Sequence, residues 1–137
     1  MKNLEQTLIG WFLRIALSAG MFSAVADRFG LWNSEISAWG TWERFVVYTQ
    51  QLNPWIPASF VGIVAGIATL LEIVFAMGLL IPFKTSLIAR ATGFLLLAFG
   101  LAMTFFINIK APLDYSVFVG ASGAFGLSIL VKKANLS

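Results

Sequence analysis

The chain has 137 residues, of which 59% are hydrophobic and only 11% charged, whereas soluble domains carry roughly 25% charged residues. With a mean hydropathy of +0.88, that excludes disorder and argues against an ordinary soluble globule, and the length suits one membrane domain. Cysteine and histidine are absent, which removes thiol redox chemistry, Cys-ligated metals, His-ligated haem and His general bases. The net charge of +3 is scattered and forms no nucleic-acid-binding patch.

A membrane-crossing helix needs ~20 mostly apolar residues. Residues 4–26 form the first such segment. Its Lys2, apolar stretch and Ser23-Ala24-Val25-Ala26 resemble a cleaved signal peptide, but Glu5 and Arg14 interrupt what would have to be an uncharged core. Residues 27–57 form one long connection holding Trp32, Trp39, Trp42 and Trp55, a residue type that belongs at membrane–water interfaces. Within it, Trp42, Phe45, Val46, Thr49 and Leu52 recur at helical spacing, and Asn53-Pro54 ends the pattern. This reads as a short interfacial helix or as a lid packed over the mouth of the other helices.

Residues 58–81, 85–107 and 115–131 supply three more apolar segments. The runs are continuous rather than alternating, and eight or more strands do not fit this length, so a β-barrel is excluded. The predicted fold is all-α: an integral membrane four-helix bundle in a single domain, 1–137, with a short interfacial helix in the first outer loop. Ile81-Pro82-Phe83-Lys84 is a tight turn, and residues 108–114 a second one around Pro112, so successive helices are antiparallel neighbours. Lys2, Lys84, Arg90, Lys132 and Lys133 fall on one side, which points to both termini being cytoplasmic. Small residues spaced by four suggest where the helices touch. They are Ala16, Gly20 and Ala24, then Gly62 and Gly66, then Ser116, Gly120, Ala124 and Ser128.

Arg14 and Glu72 are ionisable residues deep in apolar segments, where a charge costs at least ~2.5–3.5 kcal/mol. Counted from the inner ends of their helices, both sit ~14–15 Å deep. An Arg14–Glu72 pair is therefore expected, with Ser18 and Thr69 one turn from each. It reads either as a buried ion pair that fixes helix register or as the lining of a ligand pocket, with the cavity opening outward beneath the Trp32–Trp55 segment. Asp27, Arg28, Asn108, Lys110, Asp114 and Tyr115 gather at the outer mouth, and Asp114 is placed to cap the last helix. No metal site is apparent.

Several of these residues resemble the DoxX family. They are Arg14 followed by Ala19-Gly20, Glu72 followed by Gly78-Leu79-Leu80, the run Ser23-Ala24-Val25-Ala26-Asp27-Arg28-Phe29-Gly30, Leu52-Asn53-Pro54-Trp55, and Lys110-Ala111-Pro112-Leu113-Asp114-Tyr115-Ser116-Val117-Phe118. The resemblance covers nearly the whole chain. It implies a four-helix, multi-pass bacterial inner-membrane protein, with founding members resembling a subunit of a thiosulfate–quinone oxidoreductase. The fold also looks similar to the four-helix core of vitamin K epoxide reductase, whose chemistry needs the cysteines this chain lacks.

Four functions follow as expectations. The first is a subunit or accessory of a membrane redox system that binds a hydrophobic small molecule, a quinone or lipid, with a membrane or periplasmic redox partner. The second is a stand-alone oxidoreductase, against which the missing Cys and His argue. The third is a small-solute transporter working as a homo-oligomer, and the fourth a scaffold that recruits a partner through the outer loop. The lipid bilayer is the surrounding partner in all of them.

Overall fold

The computed structural model describes residues 2–134; Met1, the side chain of Lys2 and residues 135–137 lie outside them. Among the described residues the fold is all helical, with no strand. The elements are α1 (Lys2–Arg28), α2 (Trp42–Leu52), α3 (Ala58–Leu80), α4 (Thr85–Phe106), α5 (Lys110–Asp114) and α6 (Val117–Lys133). Three of them, α1, α3 and α4, are long and apolar enough to cross a membrane. The 17 residues of α6 reach ~26 Å.

Each helix stops where its sequence dictates. At the end of α1 the Gly30 and Leu31 amides turn back to the Asp27 and Ala26 carbonyls (3.1 and 3.0 Å), a Schellman closure that needs a left-handed residue. Gly30 supplies it at φ +71°. Thr41 caps α2, its hydroxyl accepting from the Arg44 amide at 3.2 Å, and the Asn53 side chain closes the other end by donating to the Thr49 carbonyl. Phe45, Thr49 and Leu52 are the buried side of α2, matching the helical spacing read from the sequence. The segment expected to be only a turn around Pro112 contains α5. Asn108 accepts from the Ala111 amide at 2.9 Å and so starts that extra turn of helix.

α1 packs on α3 and α6, and α4 packs on α3 and α6, while α2 lies against α1, α3 and α4. The core runs through Leu17, Met21, Ala76, Leu79, Ala89, Ala124, Leu127 and Val131. The buried line along α3 is Val61, Ala65, Thr69, Glu72, Ala76 and Leu79, three or four residues apart as one helix face requires.

The small-residue expectation holds on one helix and fails on two. Ala124 and Ser128 of α6 are buried, and Ser128 exchanges hydrogen bonds with Ser86 of α4. On α1 and α3, however, a Cβ added at Gly20, Gly62 or Gly66 would meet nothing within 4 Å. Those glycines face away from the helix contacts. Close approach occurs instead between α4 and α6, where Gly93 and Gly100 receive the rings of Phe125 and Phe118. The spacing rule finds small residues without saying which side of the helix they occupy.

The α1–α3 register also differs from the depth-matched one. Ser18 on α1 donates to the Ala76 carbonyl on α3 at 2.8 Å, and Arg28 meets Thr69. Matched depths would have set Ser18 level with Ala68. The helices are therefore offset by about eight residues, roughly 12 Å. Arg14 is moved toward the Leu80 end of α3, and the first turns of α3 extend past the end of α1.

Candidate functional site

Glu72 is paired, but not with Arg14. Arg28 Nη1 is in ion contact with Glu72 Oε2, both side chains being almost fully buried, and donates a hydrogen bond to Thr69 Oγ1 at 2.8 Å. The sequence alone predicts Arg28 at the outer mouth. It turns inward because the register brings Thr69 and Glu72, three residues apart on one face of α3, level with the end of α1. A buried carboxylate without a cation would be costly, and Arg28 is the cation within reach.

Above Arg28 the loop closes. The Phe45 ring lies 3.8 Å from the guanidinium carbon and the Trp39 ring 5.4 Å from it, and the two rings meet edge to face. A guanidinium over aromatic faces is stabilised by the ring quadrupole. Asp27, the preceding residue, holds the same loop from the other side. Its carboxylate accepts from the Ser37 hydroxyl and from the backbone amides of Ala38, Trp39 and Gly40 at 2.8, 3.2 and 3.2 Å. Trp32 donates its indole N–H to the carbonyl and hydroxyl of Ser23, each at 3.1 Å, and Trp42 stacks on Phe29. Trp55 takes no part in this closure and is exposed.

The expected route from the outer mouth down to Glu72 is thus closed by Arg28 under Trp39 and Phe45, and Glu72 is only 3% exposed. A shallow depression lies elsewhere, on the outer surface of α2, lined by Trp39, Glu43, Arg44, Val47, Tyr48 and Gln51. Burial raises the Tyr48 phenol above its ordinary pKa.

The other mouth residues are structural or solvated. Lys110 and Asp114 form an exposed ion pair one turn apart on α5, and Tyr115 is exposed. Asp114 does not cap α6. That position belongs to Ser116, in a left-handed conformation and without a side-chain cap bond, because α5 places Asp114 in its own last turn.

Arg14 stands apart from all of this. It is buried, at 3% exposure, and Nη1 has no hydrogen-bond partner. Neither salt bridge among the described residues includes it. The ring of Trp11 lies 4.5 Å from its guanidinium carbon. Ser18, expected beside it as part of a polar patch, is satisfied by the Ala76 carbonyl. The four residues assigned to one polar site therefore divide, Thr69 and Glu72 going to Arg28, Ser18 to the α3 backbone, and Arg14 to neither.

Among the described residues no group of three or more acidic side chains is disposed to hold a metal ion. Comparison with protein-family models, curated proteins and solved structures gives no match.

Proposed function

We propose that this chain is a small DoxX-like protein of the bacterial inner membrane that holds a hydrophobic small molecule as a subunit or accessory of a membrane redox system. In this reading α1, α3, α4 and α6 are four spans of one bundle, both termini are cytoplasmic, and α2 with the Trp-rich loop forms an outer lid. The single observation that carries the binding role is Arg14, a buried guanidinium with a nitrogen left unpartnered. Unsatisfied buried donors are rare in folded proteins, and an intramembrane charge marks a functional site by default.

A quinone fits this site only in part. A two-point clamp between Arg14 and Glu72 is not available, because Glu72 is engaged by Arg28. The Arg14 guanidinium remains able to donate to a ring oxygen. When bound, a quinone would supply two-electron redox chemistry, while the residues of this chain would bind and orient it.

The test is native mass spectrometry of the protein purified in mild detergent, followed by solvent extraction. The expected result is a small hydrophobic molecule retained by the wild type and lost from Arg14→Leu. Equal retention by both removes Arg14 from the binding role.

A second reading, a scaffold that recruits a partner at its outer face, is favoured by one observation. The lid is fastened over Arg28 rather than opening onto a cavity, while the depression bearing Glu43 and Arg44 faces outward. No observation favours a transporter.

A further inference from the structure

Arg14 needs a counter-charge, and among the described residues no acidic side chain supplies one. There are six acidic residues in the sequence. Glu72 is held by Arg28, Asp27 by the loop amides, and Asp114 by Lys110 at the far end of the fold. Glu35 and Glu43 belong to the loop and α2, beyond the opposite end of α1. Glu5 shares α1 with Arg14, but nine residues separate them, which puts it ~13 Å away along the axis and on the opposite side of the helix. A guanidinium does not lose its proton in a protein, so deprotonation cannot relieve the charge.

The surroundings say where an anion would come from. Ser18 is level with Ala76, so Arg14, one turn earlier, is level with the last turn of α3. Gly10, one turn earlier again, is close to Leu130 of α6. This is the end of the fold that carries Lys84, Arg90, Lys132 and Lys133, all exposed. Thr85, in the first turn of α4 at the same end, is fully buried and its hydroxyl also lacks a partner. The indole of Trp11, which is 39% exposed, lies over the Arg14 guanidinium. Phe12 and Ile15 beside it are exposed apolar residues, suited to an acyl chain. The site thus combines a buried cation, a basic rim and an apolar outer wall.

We propose that Arg14 binds the anionic head of an amphiphile, a phosphate or carboxylate oxyanion, drawn from the membrane leaflet at the Lys84–Lys133 end, with the chain of the amphiphile along Trp11, Phe12 and Ile15. This rests on the reading that Arg14 is the binding residue and specifies the class of molecule it takes. A guanidinium fork matches the geometry of either oxyanion, and charge-assisted bonds are the strong ones.

The experiment uses the full chain, delipidated in maltoside micelles. Thermal shift and calorimetric titration are read with oleate, dodecyl phosphate, oleyl alcohol, decylubiquinone and inorganic phosphate. Oleate and dodecyl phosphate should bind and raise the melting temperature, and Arg14→Gln should weaken both by roughly tenfold or more. Oleyl alcohol and inorganic phosphate should bind far more weakly, which distinguishes an amphiphile from a free anion. In case Arg14→Gln does not fold, phenylglyoxal labelling of the wild type supplies an independent measurement. Oleate should slow modification of Arg14, and oleyl alcohol should not. If decylubiquinone protects Arg14 while oleate and dodecyl phosphate do not, the charge class is wrong and the broader binding reading stands. If inorganic phosphate binds as well as dodecyl phosphate, the amphiphile is wrong. If none of the probes binds in an Arg14-dependent way, both readings fall.

Discussion

Asp27 and Arg28 are sequence neighbours in the last turn of α1 that fasten the same loop from opposite directions. Asp27 reaches outward to the amides of Ala38, Trp39 and Gly40. Arg28 reaches inward to Thr69 and Glu72 while its guanidinium is covered by Trp39 and Phe45. Trp39 is common to both attachments, so the lid and the buried ion pair form one assembly.

The ion pair gives the sharpest test of register. Glu72→Ala should destabilise the protein in micelles by about 3–5 kcal/mol, because it strands a buried guanidinium, with Glu72→Gln milder. In a double-mutant cycle read by reversible unfolding, Arg28 and Glu72 should couple strongly and Arg14 and Glu72 should show no coupling. Coupling of Arg14 to Glu72 would restore the depth-matched register.

Asp27→Ala should loosen the loop without unfolding the helices. Three amides and a hydroxyl lose their acceptor, at a cost of about 1–3 kcal/mol for each group that stays buried. Hydrogen exchange at Ala38, Trp39 and Gly40 should accelerate, while exchange in α4 and α6 stays unchanged. Unaltered exchange at those three amides would remove Asp27 from the role.

The glycines should separate into two groups. Gly100→Ala would place a Cβ 2.7 Å from the Phe118 ring, and Gly93→Ala one 2.8 Å from that of Phe125. Each should lower stability by about 1–3 kcal/mol through overpacking. Gly62→Ala and Gly66→Ala meet open space and should be neutral or slightly stabilising, since alanine is the better helix former. Thermal unfolding of the four variants in one detergent makes the comparison.

Topology is accessible to labelling. Glu35→Cys in the loop and Lys132→Cys near the end of α6 are exposed positions; Ser137 lies outside the described residues. In intact cells an impermeant maleimide should modify the first and not the second. The reverse pattern would invert the orientation.

Much of the architecture was legible because it depends on local pattern. The apolar runs located the long helices to within a few residues, and Trp42, Phe45, Thr49 and Leu52 disclosed α2 through their spacing. The partner of Glu72 was not legible, because the helices do not begin and end at the same level, so distance from a helix end is not depth. What sets the α1–α3 register is non-local. α2 packs against the end of α1 and along α3, and no spacing within either helix reports it. Arg28 carried one available signal. It lies beside a carboxylate at the end of a helix, yet Asp27 can be satisfied by backbone amides alone, which leaves the arginine free for a distant partner. The apolar residues around Arg14 show that it is buried, and the structure adds that it has no ion-pair partner among the described residues.

The Arg28–Glu72 contact also bears on how the chain is built. α1 leaves the ribosome before α3, and until Glu72 is made Arg28 has no carboxylate to enter the bundle with. Glu72, for its part, is a deep carboxylate that insertion alone would penalise by ~2.5–3.5 kcal/mol. The productive unit of insertion is therefore the α1–α3 pair, with the segment carrying α2 between them. Biogenesis must keep α1 close by while the next 44 residues are synthesised, so a truncation that ends before Glu72 should leave the end of α1 at the membrane surface.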